Sequence, residues 1–290
     1  MHFPAAECAY EGFRLTRRAP LAVLAWAGLI AVLYGLFLVG AGPWLVVMLE
    51  QAQVLEGVAS PTPEQVAPAA QAWGMVMLYA VPLGLLGGAV LSSALVRSVL
   101  KPQERRHAYL RLGRDEVRVL AVKLVMAVAL CLISMISFTV VGMLIGLAAS
   151  VPALWLVAFV AALAAVALMV WISLRLSLAV PATLAEGRFG LATSLRLTKG
   201  RVWPLLGMAI IAVLMSLLVT ILLSVALTPL SLLVVMPETA DPVERLRASL
   251  QAGPVGFLVP AILNGLLMAA QFSLIYAPFA AAYQRLSNPA

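Results

Sequence analysis

Residues 175–203 read RLSLAVPATLAEGRFGLATSLRLTKGRVW. The segment leaves one long apolar stretch, passes through five basic residues, and enters a second apolar stretch at Trp203. Two similar basic segments lie upstream, and each of them also precedes a pair of apolar stretches. This recurrence of one basic segment followed by two apolar stretches organises the rest of the chain.

The composition is typical of a protein dissolved in lipid. Of the 290 residues, 63% are hydrophobic and 11% are charged, whereas soluble domains are about 45–50% apolar and about 25% charged. Apolar stretches this long cross a bilayer as helices, because a helix pairs every backbone group within its own segment. The alternating pattern of barrel strands is missing. We therefore predict an all-α polytopic fold, with residues 1–290 forming a single membrane domain.

Six transmembrane helices are predicted, at about residues 19–40, 73–96, 119–149, 153–178, 203–227 and 255–283. The run from Gly40 to Pro43 should break or bend the first span, and Pro229 should stop the fifth, because proline removes a helix donor. In the loops on the other side, Thr62 and Asp241 each precede a proline, which is typical of a helix start.

The basic residues predict the orientation of the spans. All but two of the 19 Lys and Arg lie near the termini or in 97–123 and 175–201, and only Arg245 and Arg247 lie in the opposite loops. The positive-inside rule therefore places both termini in the cytoplasm. The positive charge sets orientation and attracts anionic headgroups, and it requires no nucleic-acid partner.

Three of the basic segments share the pattern apolar–Arg–Leu–Thr/Gly–base, at 13–17, 110–114 and 195–199. Residues 43–50 also resemble 229–238. Two interpretations stay open. Either the chain repeats an interfacial helix and a transmembrane hairpin three times about a pseudo-threefold axis, or Arg-Leu pairs recur by chance before inserted spans. The repeats would be 5–98, 102–180 and 186–285.

The run Ser194-Leu-Arg-Leu-Thr-Lys-Gly-Arg-Val-Trp203 precedes a long apolar helix. It resembles the Ser-x-x-Leu-Thr-Lys-Gly-x-x-Trp pattern of bacterial six-helix inner-membrane proteins, which include the membrane domain of some glycerophosphodiester phosphodiesterases and many uncharacterised relatives. The resemblance covers about residues 175–215. It implies a six-helix architecture in a bacterial inner membrane. The phosphodiesterase catalytic domain has no counterpart in this sequence, so its activity is not implied.

Basic residues beside the spans are candidate contacts for anionic lipid headgroups. They are Arg14, Arg111, Arg175, Arg196 and Lys199. Arg175 and Lys123 lie just inside spans, where a cation either forms a buried site or extends to the interface, the interpretation that we favour.

Asn264 and Gln271 are the main strongly polar side chains deep within a span. Seven residues apart, they share one face of the sixth span, which should point into the bundle. They form either an interhelical hydrogen bond worth about 0.6–2 kcal/mol or part of a substrate path.

No catalytic motif is recognised. HExxH, GxSxG and phosphate-binding loops are missing, and the two cysteines, Cys8 and Cys131, form neither a disulfide framework nor a thiolate metal site. Asp115 and Glu116 are adjacent and should diverge on a solvated face. The sequence therefore predicts a protein without enzymatic activity, cofactor or metal.

We expect a lipid-associated, scaffolding or envelope role, and the alternative is a passive or lipid-type transporter with a path past the sixth span. A transporter requires a cavity at mid-membrane depth lined by that span, whereas a scaffold requires a packed centre. A membrane enzyme would bring Asp115, Glu116 or His107 together with basic groups in a cytoplasmic pocket.

Overall fold

The computed structural model describes residues 5–58, 61–104, 106–148, 150–151, 154–232 and 241–287. Within these ranges the chain is helical and contains no strand, so the all-α prediction is confirmed. The helices are α1 (Ala5–Ala9), α2 (Glu11–Arg18), α3 (Pro20–Leu55), α4 (Pro63–Leu100), α5 (Arg114–Ala148), α6 (Leu154–Leu176), α7 (Ala179–Glu186), α8 (Leu191–Leu197), α9 (Val202–Leu232), α10 (Pro242–Gln251) and α11 (Pro254–Ser287).

Among the described helices, α3, α4, α5, α6, α9 and α11 are long and apolar enough to cross a membrane. The predicted number of spans is therefore confirmed. Large apolar side chains cover the outside of these helices, such as Phe138, Leu156 and Val225. So extensive an apolar surface is unusual for a soluble monomer and is the surface that hydrocarbon solvates.

The six spans form a ring. Each span packs against the next one along the chain, and α11 closes the ring by packing against α3. Helix α11 also packs against α4 across the ring, and the contact between α6 and α9 is the smallest between neighbouring spans. The ring is therefore least tightly closed between α6 and α9.

Both described ends of the chain lie at the same end of the ring, here called the basal end. The Arg285 guanidinium of α11 lies 3.2 Å from the Glu7 carboxylate of α1. The proposed repeat 5–98 would open with an interfacial helix, and the structure has two short helices there, α1 and α2, which pack on α9 and α11. Cys8 is buried there, and burial raises the pKa of its thiol.

Glycines bring α11 close to its neighbours. A Cβ atom on Gly265 would overlap the carbonyl oxygen of Ala27 and lie 3.2 Å from the Ala31 side chain, both on α3. A Cβ on Gly12 would lie 2.7 Å from the Leu274 Cα. Small residues allow backbones to approach closely inside membranes, where dispersion forces drive helix association.

A break or a bend was predicted between Gly40 and Pro43, and the break is wrong, because α3 continues as one helix to Leu55. Helix α9 likewise continues past Pro229 to Leu232. A proline removes one backbone hydrogen bond, and surrounding helices allow a transmembrane helix to continue through that loss. Helix α10 packs against this part of α3, where the Leu250 side chain meets Gly42.

The two predicted helix starts are confirmed. Thr62 and Gln65 form a reciprocal capping box at the start of α4, and the Asp241 carboxylate accepts a hydrogen bond from the Val243 amide at 2.9 Å. Helix α4 continues directly from this cap into the second span. The resemblance of 43–50 to 229–238 involves positions outside the described residues.

Candidate functional site

The segment 175–203 folds into a helical hairpin, α7–α8, that enters the basal end of the ring. Helix α7 packs against α4, α5, α8 and α11, and Ala179, Ala182 and Thr183 are fully buried in it. Its small side chains allow this central position. Four other helices therefore cover α7.

The hairpin depends on two glycines. Gly187 ends α7 with a φ of 64°, a left-handed conformation that glycine adopts without steric cost. A Cβ on Gly190 would lie 2.6 Å from both the Ala182 side chain and the Thr183 amide nitrogen. The Gly190 amide also donates a hydrogen bond of 3.1 Å to the Thr183 hydroxyl.

Arg175 joins the end of α6 to α8. Its guanidinium donates a hydrogen bond of 2.8 Å to the Leu195 carbonyl, and the Ser194 hydroxyl donates one of 2.7 Å to the Arg175 carbonyl. The guanidinium carbon also lies 5.1 Å from the centre of the Trp171 ring. Arg175 therefore joins α8 to the end of α6 and lies over a tryptophan ring.

Inside the ring lies a cavity of about 630 Å³, bounded by α4, α5, α6, α7, α9 and α11. We call it the central cavity. Its walls are mainly apolar, as Met126, Met169 and Phe279 illustrate, and Val180 and Pro181 of α7 line its basal end. The sixth span contributes to the wall, so this part of the bundle is not the packed centre that a scaffold requires.

Lys123 places its amine in the central cavity. The amine donates a hydrogen bond of 2.8 Å to the Gly88 carbonyl of α4 and lies 5.7 Å from the centre of the Tyr276 ring of α11. Among the described residues that line this cavity, Lys123 is the only lysine, and none is an arginine, a histidine or a carboxylate. Ser92, Ser173 and similar hydroxyls supply the other polar groups.

The amine of Lys123 lies deep in the bundle. Near the basal end, Arg97 of α4 and Glu116 of α5 form an ion pair. Lys123 follows Glu116 by seven residues in α5, and Gly88 precedes Arg97 by nine residues in α4. At 1.5 Å per residue, the two positions lie about 10 and 14 Å from the ion pair along their helices. The amine therefore points across to Gly88 at depth, and differs from the expected extension to the interface.

The electrostatics of this site favour an anionic ligand. A lysine amine is cationic at neutral pH, and a cation in apolar surroundings is costly unless it is paired. The Gly88 carbonyl and the Tyr276 ring supply partial negative charge only. No carboxylate is found among the described lining residues, so the site can accept a negatively charged group from outside.

The intramembrane pair Asn264 and Gln271 lies outside this cavity lining. The Gln271 amide donates a hydrogen bond of 2.8 Å to the Thr220 hydroxyl on α9, which is the interhelical interaction that the sequence offered as one interpretation. Asn264 makes no side-chain hydrogen bond with any part of the chain that the structure describes.

The other basic candidates lie at the basal end. Arg14 pairs with Glu11 at 3.5 Å, and Arg111 pairs with Glu104 at 3.0 Å. Arg196 and Lys199 are exposed on α8 and just after it. Arg111 also borders a surface groove between α3 and α4, with His107 beside it. These side chains form separate surface positions and do not converge on the central cavity.

Sequence reasoning missed a buried ion pair. Arg97 and Glu116 have side chains that are each 7% exposed, so the predicted solvated face is wrong for Glu116. The Arg97 guanidinium also donates to the Tyr109 carbonyl at 2.9 Å, and Glu116 accepts from the Gly113 amide at 2.9 Å. The pair thereby fixes the loop between α4 and α5.

The groups that a membrane enzyme would bring together have separate neighbours. Glu116 is held by Arg97, and Asp115 pairs with Arg118 at 3.1 Å. His107 borders the groove beside Arg111, which Asp115 and Glu116 do not line. The three groups therefore form no common acid–base site within the described residues.

Comparisons of the chain with protein-family models, with curated proteins and with solved structures find no match. The function is therefore inferred from the geometry of the central cavity.

Proposed function

We propose that this chain is a non-enzymatic integral membrane protein that binds an anionic phospholipid in the central cavity. The observation that carries the proposal is the Lys123 amine, a cation in an apolar cavity without a carboxylate partner among the described lining residues. The apolar walls suit acyl chains, and an amine donates strong charge-assisted hydrogen bonds to phosphate. Lipids are the proposed partners, and no cofactor is needed.

The proposed location is a bacterial inner membrane, with the basal end in the cytoplasm. Two observations support it: the resemblance of residues 175–215 to bacterial six-helix proteins, and the bias of Lys and Arg toward the side of the termini. In a cysteine-free background, Arg111→Cys should be protected from an impermeant maleimide in intact spheroplasts, while Ala67→Cys reacts. The opposite pattern would reject this orientation.

Binding should depend on Lys123. In titrations of the purified protein with phosphatidylglycerol, followed by native mass spectrometry, Lys123→Met should weaken the tightest binding event about tenfold or more, because hydrogen bonds to charged groups contribute about 1.5–3 kcal/mol. Phosphatidylcholine carries no net charge, because its quaternary ammonium offsets the phosphate, and it should bind both forms alike. Lys101→Met is the matched control, since Lys101 is exposed at the end of α4.

Equal phosphatidylglycerol affinity for the wild type, Lys123→Met and Lys101→Met would reject the proposal. A loss that is the same for Lys123→Met and Lys101→Met would show only general attraction of an anionic lipid to a basic protein.

A lipid-type transporter is the second candidate, because the cavity lies at depth and the sixth span lines it. The three hairpins α3–α4, α5–α6 and α9–α11 follow one another around the ring, as the proposed repeats 5–98, 102–180 and 186–285 require. Scrambling of a fluorescent phospholipid in proteoliposomes separates the two candidates. A transporter should accelerate scrambling relative to liposomes without protein, and Lys123→Met should abolish the acceleration. With a binding protein, the scrambling rate should equal that of liposomes without protein.

A further inference from the structure

We propose that the phospholipid reaches the central cavity sideways, between α6 and α9, with one acyl chain lying in the groove on the outside of these two helices. The inference rests on the proposed function. It adds the route by which the phospholipid enters and the place of one acyl chain. Four observations support it: a groove, a thin partition, a closed basal end and a suitable rim.

The groove lies between the basal halves of α6 and α9 and has a volume of about 640 Å³. Its described lining is apolar, with Ala167, Leu168 and Trp171 from α6 and Val202 and Trp203 from α9. It opens on the lipid-facing side of the ring, where the two tryptophans, Ala167 and Leu168 are exposed and Val202 is half-buried. A single hydrocarbon chain is the ligand that such a lining accepts.

A thin partition separates this groove from the central cavity. Val170, Leu174 and Leu206 line both spaces, so one layer of three aliphatic side chains lies between them. The layer occupies the place where neighbouring spans contact each other least. Rotation of these side chains, or a small separation of α6 from α9, would join the two spaces.

The basal end offers a poorer route. Helix α7 lies across it, with Ala179, Ala182 and Thr183 fully buried against the surrounding helices. Val180 and Pro181 form the corresponding part of the cavity wall. A lipid arriving from water would have to displace the whole α7–α8 hairpin. Hydrogen bonds between Arg175 of α6 and Ser194 and Leu195 of α8 hold this hairpin in place.

The rim of the groove has the chemistry of a lipid headgroup boundary. Trp203 is 82% exposed, and tryptophan concentrates where acyl chains meet headgroups. Trp171 is exposed beside it and carries the Arg175 guanidinium on its ring. Arg175 therefore offers a phosphate its first cation at the mouth, and Lys123 offers the second inside.

The test measures when a lipid headgroup arrives in the cavity. Ala209 lines the cavity but not the groove, so Ala209→Cys, with Cys8→Ser and Cys131→Ser, places one thiol there. The probe is phosphatidylethanolamine with a maleimide on its amine, which makes the headgroup anionic. A sulfonated, water-soluble maleimide tests access from water. Both reactions are followed in nanodiscs by the mass of the labelled protein.

We expect the lipid-borne maleimide to label the thiol of the Ala209→Cys variant faster than the soluble one. In this background Ala167→Trp, which fills the groove without lining the cavity, should slow lipid-borne labelling about tenfold. Val170→Ala, which thins the partition, should accelerate labelling. Ala164→Trp is the matched control: it is exposed on the same helix, lines neither space, and should change nothing.

Unchanged labelling in both Ala167→Trp and Val170→Ala would overturn this route, as would faster labelling by the soluble maleimide. The two proposals fail in distinguishable ways. If Lys123→Met weakens phosphatidylglycerol binding while the groove variants have no effect, the function stands and the route falls. If the groove variants alter labelling while Lys123→Met binds normally, the lateral route stands and the role of Lys123 falls.

Discussion

Replacing Arg97 with methionine should lower the free energy of unfolding by about 3–5 kcal/mol, because removal of one partner leaves a buried charge uncompensated. The Glu116 carboxylate would remain 7% exposed beside an apolar side chain, and the Tyr109 carbonyl would lose its donor. Denaturant titration in detergent micelles, followed by tryptophan fluorescence, measures the loss. Trp26 adds a local signal, since its indole donates to the Ala108 carbonyl of the same loop at 2.9 Å.

The control for this prediction is a second ion pair, which lies within α5, the helix that carries Glu116. Arg118 and Asp115 have side chains that are 39% and 48% exposed, and exposed pairs contribute about 0–1 kcal/mol. Arg118→Met should therefore have little effect. The double variant Arg97→Met/Glu116→Leu should recover much of the loss, because it leaves no buried charge. If Arg97→Met destabilises no more than Arg118→Met, the pair does not hold the loop.

Gly265→Val should destabilise the bundle by about 2–3 kcal/mol, at the upper end of the cost of overpacking. The added Cβ would overlap a backbone carbonyl of α3 at Ala27, and Ala31 blocks the adjacent space. A side chain can rotate away from such a clash, but a carbonyl inside a helix moves only with that helix. Helices α3 and α11, which have the most extensive contact in the ring, would therefore separate.

Gly142→Val provides the matched comparison. Gly142 lies within α5, and a Cβ there would meet nothing within 4 Å, so the variant adds the same side chain without a clash. Its free energy of unfolding should stay within about 1 kcal/mol of the wild type, as for most substitutions away from special sites. Equal destabilisation by the two variants would mean that α3 and α11 do not pack through Gly265.

The fold could be predicted because its main determinants are local. Six apolar stretches separated by polar segments are sufficient to predict six spans, and the caps at Thr62 and Asp241 depend only on neighbouring residues. The break expected near Pro43 was wrong because the lost hydrogen bond is a local cost, whereas continuation of α3 depends on the helices packed around it.

The site was less predictable because its contacts join distant parts of the chain. Lys123 stands out in the sequence as a lysine inside an apolar stretch, but its direction depends on how α4 and α5 pack, since Gly88 is the acceptor. The Arg97–Glu116 pair depends on the register of two antiparallel helices. The small residues of α7 could have suggested a buried position, yet the basic residues that follow suggested an interfacial segment.

The central claim is that the Lys123 amine contacts a lipid phosphate. The chain has three lysines, Lys101, Lys123 and Lys199. The double variant Lys101→Met/Lys199→Met, grown with ¹⁵N-lysine, therefore carries one labelled side-chain amine, that of Lys123. Solid-state ¹⁵N–³¹P dipolar dephasing in phosphatidylglycerol bilayers then measures its distance from phosphate. A charge-assisted hydrogen bond of about 2.7–2.9 Å from nitrogen to oxygen predicts strong dephasing of the amine signal. An amine signal that shows no dephasing by phosphorus would contradict the claim.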